Sequence, residues 1–229
     1  MALTVSTVIR NESANLQKFL DRLDLMYVRD LVVIDQNSAD ADRSEYLVDG
    51  FAEHNGITRT FFRRQEHGYC ELHRQLSIDA ATFPWVLVLD TDEWFERGAA
   101  LGLLAEICEA DHISAVVFPR VNHVVDLPGN RVQNYFGDDG QMRLIRRKDV
   151  QWGTEPHARP QVRGQVTVVN EPARRIHHEW EFHGQRAKME RVLEDMQRHG
   201  AAAERLAFIR SMWKSAIQGF EQQMGEVSR

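Results

Sequence analysis

The alternation of apolar and amphipathic runs over the first 90 residues is what most constrains the fold. Leu3–Ile9 is short, apolar and rich in β-branched residues, which predicts a buried strand. In the next segment, RNESANLQKFLDRL, Leu16, Phe19, Leu20 and Leu23 recur at helical spacing, and Asn11 or Ser13 is placed to cap a helix. Leu31–Asp35 is a second apolar strand, followed by the turn-forming QNSADAD. A helix around Ser44–Asn55, a strand near Thr58–Arg63 and a helix over Tyr69–Ala81 follow, the last stopped by Pro84. Trp85–Leu89 is the fourth strand and the most apolar. Strand, helix, strand in this order predicts an α/β fold with a mainly parallel central sheet flanked by helices. In such sheets ligands bind beyond the carboxyl ends of the strands. Three polar clusters stand there: Arg10-Asn11-Glu12, Asp35 to Asp40, and Asp90 to Glu93.

The second half is less regular. A helix is expected over Gly98–Glu109, strands over Ala115–Pro119 and Met142–Ile145, and mixed loop and strand over Val150–Val169. From about Gln185 the pattern is helical, with apolar Met189, Val192, Leu193 and Met196, then Leu206, Ile209, Met212, Trp213 and Ile217. Gly200 is expected to separate two helices. No linker composition interrupts the chain, so residues 1–183 read as one domain and 184–229 as a carboxy-terminal helical extension. The apolar stripe of that extension is expected to pack on the parent domain or on a second copy in a homodimer. A net charge of -6 argues against a chain built for bulk nucleic-acid binding. Cys70 and Cys108 have neither metal-site nor disulfide spacing, so a reducing cytoplasm is the expected setting. The opening MALTVSTVIRNE meets charge too early for a signal peptide. No apolar run reaches the roughly 20 residues of a transmembrane segment, so any membrane contact is expected to be peripheral.

The fourth strand ends in Asp90-Thr91-Asp92-Glu93. Residues i and i+2 of a strand share a face, so Asp90 and Asp92 can converge on one cation. Oxygen ligands suit Mg²⁺ or Mn²⁺, and such an ion can bridge the phosphates of a nucleoside diphosphate. The plain alternative is a solvated acidic turn, and the four residues by themselves leave both open.

The ordered set of motifs resembles the family-2 glycosyltransferases with the GT-A fold, particularly compact inverting enzymes related to lipopolysaccharide-core sugar transferases. It comprises VSTVIRNESANLQKFL, VVIDQNSAD, HGYCELHRQLSIDAATFPWVLVLDTDEWF, MRLIRRKDVQW and IHHEW, in register over roughly residues 3–183. The resemblance implies a nucleotide-sugar-binding half over 1–95 and an acceptor half over 96–183. It implies transfer of a sugar from a UDP- or GDP-linked donor to an acceptor hydroxyl, with inversion. The acceptor stays open among a glycan, a lipid-linked glycan, a protein and a modified nucleic acid. By the same resemblance Arg10, Glu12 and Asp35 hold the nucleoside, while Ser38 and Asp40 shape the turn. His67, Gly68 and Arg74 approach the diphosphate. Asp90 reaches the ribose or the sugar and shares the metal, Mn²⁺ or Mg²⁺, with Asp92, and Glu93 lies near the donor sugar. A late histidine completes the site, with spacing favouring His178 over its neighbour His177.

Inversion needs a general base for the acceptor hydroxyl. Many relatives carry a His-Glu pair where this chain reads WGTEPHARP, so His157 fits but Ala158 replaces the glutamate. Glu155 is the first candidate for the base, then Asp139 and Asp138 in FGDDG, then His157. The basic run Arg143, Arg146, Arg147 and Lys148 is expected to be an alternating strand with its charged face in solvent. The rival readings are a phosphatase or nucleotidyltransferase using Mg²⁺, and a non-catalytic relic of the fold acting as an assembly partner. A phosphatase of the haloacid-dehalogenase type carries Asp-x-Asp on its first strand, not its fourth. A nucleotidyltransferase carries a glycine-rich loop where RNESANLQ has none.

Overall fold

A computed structural model describes residues 2–65, 69–96, 106–124, 131–133, 140–155, 160–169, 175–180 and 185–227. Strands β1 (Leu3–Ile9), β2 (Val28–Gln36), β3 (Thr58–Arg64) and β4 (Trp85–Val88) alternate with helices α1 (Ser13–Arg22), α2 (Ala41–Asn55) and α3 (Glu71–Asp79). The chain continues through β5 (Glu93–Phe95), β6 (Ile113–Val124), β7 (Arg131–Gln133), β8 (Gly140–Arg146), β9 (Val150–Gln151), β10 (Gln161–Val162), β11 (Gln165–Val168) and β12 (Ile176–Trp180). It closes with α4 (Gln185–Arg198) and α5 (Ala203–Val227).

The main sheet runs β3-β2-β1-β4-β8-β6-β12-β5, with β7 and β11 also paired to β6; β9 and β10 form a separate antiparallel pair. The first four strands are mutually parallel. Antiparallel β8 then joins β4 to β6, so the sheet is mixed beyond the region where strand and helix alternate. All seven residues of β1 are buried, because both faces of the strand are covered. On β4, Trp85 and Leu87 enter the core cluster that takes in α1. Val86 and Val88 enter the cluster beneath α3. Thr4 and Ser6 are buried with small hydroxyls satisfied by Asp30 at 2.9 Å and Ser77 at 2.6 Å.

β6 changes partners along its length. Ala115–Pro119 pairs with β8, and Arg120–Val124 pairs with β12. β12 in turn pairs antiparallel with β5, which begins right after the Asp90–Asp92 turn. That turn is therefore held between the core of the sheet and its far edge.

Some expectations change. The first helix is not capped by Asn11 or Ser13: Glu12 sits at the cap and makes no side-chain cap bond. Instead Asp40 Oδ2 accepts the Ser13 N–H at 3.2 Å, and Asn11 Oδ1 accepts the Ala39 N–H at 2.8 Å. Each turn thus caps the other. The basic run around β8 splits: Arg147 and Lys148 are exposed, as expected of a solvated face, but Arg143 and Arg146 turn inward. Arg143 is buried, Arg146 lies over the Trp85 ring at 4.9 Å, and Arg147 donates to the Ala81 carbonyl. Of the helix expected over Gly98–Glu109, residues 106–109 are helical and the rest lies outside the described residues. Gly200, at φ +77°, separates α4 from α5. Among the described residues no helix is long and apolar enough to cross a membrane.

Candidate active site

The ends of β1 and β2 make the first part of the site. Asp35 is fully buried. Its Oδ1 accepts the Ser38 N–H at 2.8 Å, while Oδ2 is buried without a partner among the described residues. A buried acceptor left open costs about 1–3 kcal/mol, so folded chains rarely keep one without a reason. Ser38 Oγ accepts the Asn11 N–H at 2.7 Å, and both Asn11 and Asn37 adopt positive φ. The turns therefore fix the carboxylate in place. Glu12 accepts a hydrogen bond from Thr91 Oγ1. Burial, reinforced by the charge of Asp92, pushes its carboxyl up to about 7 despite that bond. Arg10 turns toward α4 and pairs with Asp195 at 2.8 Å.

The second part is an ionic lattice. Arg74 and Arg143 are both buried, and their guanidinium groups take one oxygen each of Asp90: Arg74 takes Oδ1, and Arg143 takes Oδ2 at 2.8 Å. Arg143 also donates to Glu93 Oε1 at 2.7 Å, and Glu93 Oε2 accepts the Asp90 N–H at 3.2 Å. Burial by itself would raise the Asp90 carboxyl, but the two guanidinium groups outweigh it and hold it far below the usual range. Arg74 also lies over the Trp152 ring, 5.5 Å from its centroid.

The third part is Asp92 with His178. Asp92 Oδ2 is 3.4 Å from His178 Nε2, and Asp92 Oδ1 is buried without a partner among the described residues. His178 Nδ1 is 2.6 Å from Asn122 Oδ1. Nε2 and the Asp92 carboxylate face each other, an arrangement able to share a cation. Burial would raise the Asp92 carboxyl, but the hydrogen bond and charge of His178 lower it, helped by Lys188. This oxygen and nitrogen pair fits Mn²⁺ or Mg²⁺. Asp90 accepts one arginine on each oxygen, which leaves a lone pair on each for a further partner. Among the described residues no group of three or more His, Cys, Asp or Glu side chains gathers around a metal position.

His177 stands away from this pair. It alternates to the other face of β12, stacks on Trp94 and His123 at 5.4 and 5.0 Å, and places Nδ1 2.8 Å from His123 Nε2. Glu155 is exposed in the loop after Trp152, and its charge acts on Tyr69 at the start of α3. The Trp152 N–H donates to Gln75 Oε1 at 2.7 Å, which holds this loop against α3 on the Arg74 side. His67, Gly68, Asp138, Asp139 and His157 lie outside the described residues. The structure adds residues that the sequence did not single out. Thr91 lies within the motif itself and Asn122 on β6; Asp195 and Lys188 come from α4, which reads in sequence only as an amphipathic helix. Arg143 gave a misleading signal, since RLIRR reads as alternation rather than as a buried pair.

A family model described as "Glycosyl transferase family 2" matches residues 4–163, more than half of the 229-residue chain. No curated protein matches the chain. Among solved structures it is similar to the mannosyltransferase PcManGT from Pyrobaculum calidifontis in complex with GDP-Man and Mn²⁺. There the TM-score is 0.58 and the identity 17%, over 89% of this chain and 64% of that one. S. aureus TarS 1–349 follows at TM-score 0.51 and 12% identity, over 98% of this chain and 74% of that one. GalNAc-T7 with UDP, GalNAc and Mn²⁺ gives TM-score 0.56 and 15% identity, over 86% of this chain and 48% of that one. The chain thus spans less than two thirds of two of these three proteins, and at such identities the likeness shows the fold, a GT-A sheet.

Proposed function

Because the chain belongs to glycosyl transferase family 2, we propose that it is a metal-dependent glycosyltransferase that moves a sugar from a UDP- or GDP-linked donor to an acceptor hydroxyl with inversion. One observation carries the reading. A buried, half-satisfied carboxylate at Asp35 and a facing Asp92–His178 pair stand on the same edge of one sheet, where the family binds its donor. The neighbours bound to GDP-Man with Mn²⁺, and to UDP with Mn²⁺, support a donor and ion of that class.

In this reading Asp35 Oδ2 accepts from a nucleobase or ribose N–H or O–H. Asp90, held rigid by Arg74 and Arg143, is oriented to accept from the ribose or the sugar. Asp92 and His178 would hold the divalent ion, whose charge would offset that of a departing diphosphate. Glu155 takes the proton of the acceptor hydroxyl as its oxygen bonds to the anomeric carbon. The bond from that carbon to the diphosphate oxygen breaks, and the electron pair leaves with the nucleoside diphosphate.

Calorimetry with UDP and GDP, each with and without Mn²⁺, tests the donor reading. Micromolar binding that needs the ion is expected for one of them, and Asp92→Ala should abolish it without loss of fold. Equal binding with and without metal, or none, overturns the assignment. Donor turnover in Glu155→Gln should fall far more than donor affinity; equal turnover moves the base to Asp139 or Asp138.

A further inference from the structure

We propose that Lys188, on the carboxy-terminal helix α4, is a diphosphate-binding residue that closes the open side of the donor site. The inference rests on the donor reading above and extends it to a part of the chain that the family match, residues 4–163, does not reach. Its basis is the way α4 is docked. Asp195, buried on α4, pairs with Arg10 at the end of β1. Met189, Leu193 and Met196 of α4 form a cluster with Ile209 of α5, and Tyr69 at the start of α3 packs against it. The helix therefore lies along the carboxyl edge of the sheet and touches it at two separate strand-helix junctions.

Lys188 is seven residues before Asp195. Seven residues turn a helix by almost two full turns, so the two side chains lie about 20° apart around the axis and about 10 Å apart along it. The face of α4 that binds Arg10 is thus also the face that carries Lys188. The exposed ammonium lies within electrostatic reach of Glu12, Asp90 and Asp92, which come from two different strand ends.

Charge balance then gives it a task. Arg143 is committed to Asp90 and Glu93, Arg74 bonds Asp90, and Arg10 bonds Asp195. A diphosphate entering beside the carboxylates of Glu12, Asp90 and Asp92 needs positive charge beyond what these arginines supply. An ion at Asp92 and His178 would be one source, and Lys188 is a second: a compact charge on a long flexible stem. It binds and offsets phosphate charge, and transfers no proton.

The test is calorimetry in Mn²⁺ with UDP, GDP and inorganic pyrophosphate on the full chain. The variants are Lys188→Ala, Lys188→Arg and, as a control for loss of charge, Lys214→Ala at an exposed position of α5. Lys188→Ala should weaken the preferred nucleoside diphosphate and pyrophosphate alike by about tenfold, the loss of one charge-assisted contact. Lys188→Arg should restore most of that affinity, and Lys214→Ala should match the wild type. Unchanged affinity in Lys188→Ala, or a loss that arginine does not recover, overturns the role of Lys188 and leaves the donor reading intact. Wild-type protein that binds neither UDP nor GDP overturns the donor reading, and this inference with it.

Discussion

Arg143 bridges two carboxylates with one guanidinium nitrogen, and its own side chain is almost wholly out of water. Removing it would leave the buried Glu93 and the partly exposed Asp90 with one cation fewer, which costs far more than an intact pair contributes. Arg143→Ala is therefore expected to lower stability by about 3–5 kcal/mol in urea unfolding. Arg63 joins Asp42 and Glu45 at the surface, where water and salt screen the pairs, and Arg63→Ala should cost far less than Arg143→Ala. Glu12 gives a pH test on metal-free protein. Its carboxyl is raised from 4.5 to about 7 in the fold, so the unfolded chain ionises first. The folded state is favoured while Glu12 is protonated, and that advantage is lost as pH rises through about 7. With EDTA present, Glu12→Gln should melt higher than the wild type at pH 8, and the gap should close toward pH 4.5. A gap that stays constant with pH would show that Glu12 does not titrate there. Asp35 and Asp92 stood out in the sequence because each sits at the end of an apolar strand, and His178 only through the ordered motifs of the family resemblance. Arg143 did not, because its partners lie 53 and 50 residues away and nothing local distinguishes a buried arginine from a solvated one.

The elements of the first 90 residues were legible because each strand is a run long enough to show its period and each connection carries turn residues. The rest failed for reasons of length and context. β5, β7, β9 and β10 span two or three residues each, too short for any period. β12 reads IHHEW, and its pattern becomes intelligible only when one face holds His178 and the other His177. β6 is longer than expected because Pro119 looks like a strand breaker. It lies at the point where β6 leaves β8, paired to Gly140, and Arg120 begins the pairing to β12. A proline is tolerated at such a handover between partners. The turn before β11 sets a tighter condition. A Cβ on Gly164 would lie 2.1 Å from Ser114 Oγ, and that hydroxyl donates to Asp149 at 2.9 Å. Gly164→Ala should therefore force Ser114 off Asp149 and destabilise the fold by about 1–3 kcal/mol. Ser114→Ala removes the hydroxyl, so the double variant should lose clearly less than the sum of the two single losses, as a double-mutant cycle in urea would measure. Simple additivity would mean that the two residues do not meet.

At the scale of the molecule, the question is how firmly the two carboxy-terminal helices are held to the sheet. Among the described residues, the Arg10–Asp195 pair and the packing of Tyr69 against Met189, Leu193, Met196 and Ile209 tie them to the rest of the fold. The ion pair is 31% open to water on the arginine side, so solvent screens it. It is nonetheless the contact that fixes the rotation of α4, because an apolar cluster is non-directional and tolerates sliding. Asp195→Ala should thus cost only about 1–2 kcal/mol in global stability, yet let α4 swing away from the sheet edge. Limited proteolysis reads this directly. The variant should release a fragment lacking α4 and α5 faster than the wild type, while the remaining sheet resists. Adding the preferred nucleoside diphosphate with Mn²⁺ should slow release in the wild type, because a ligand that touches both Asp92 and Lys188 ties the helix to the sheet. Equal release rates in variant and wild type would place the anchoring in the Tyr69 cluster. Tyr69→Ala would then be the change that frees the helices.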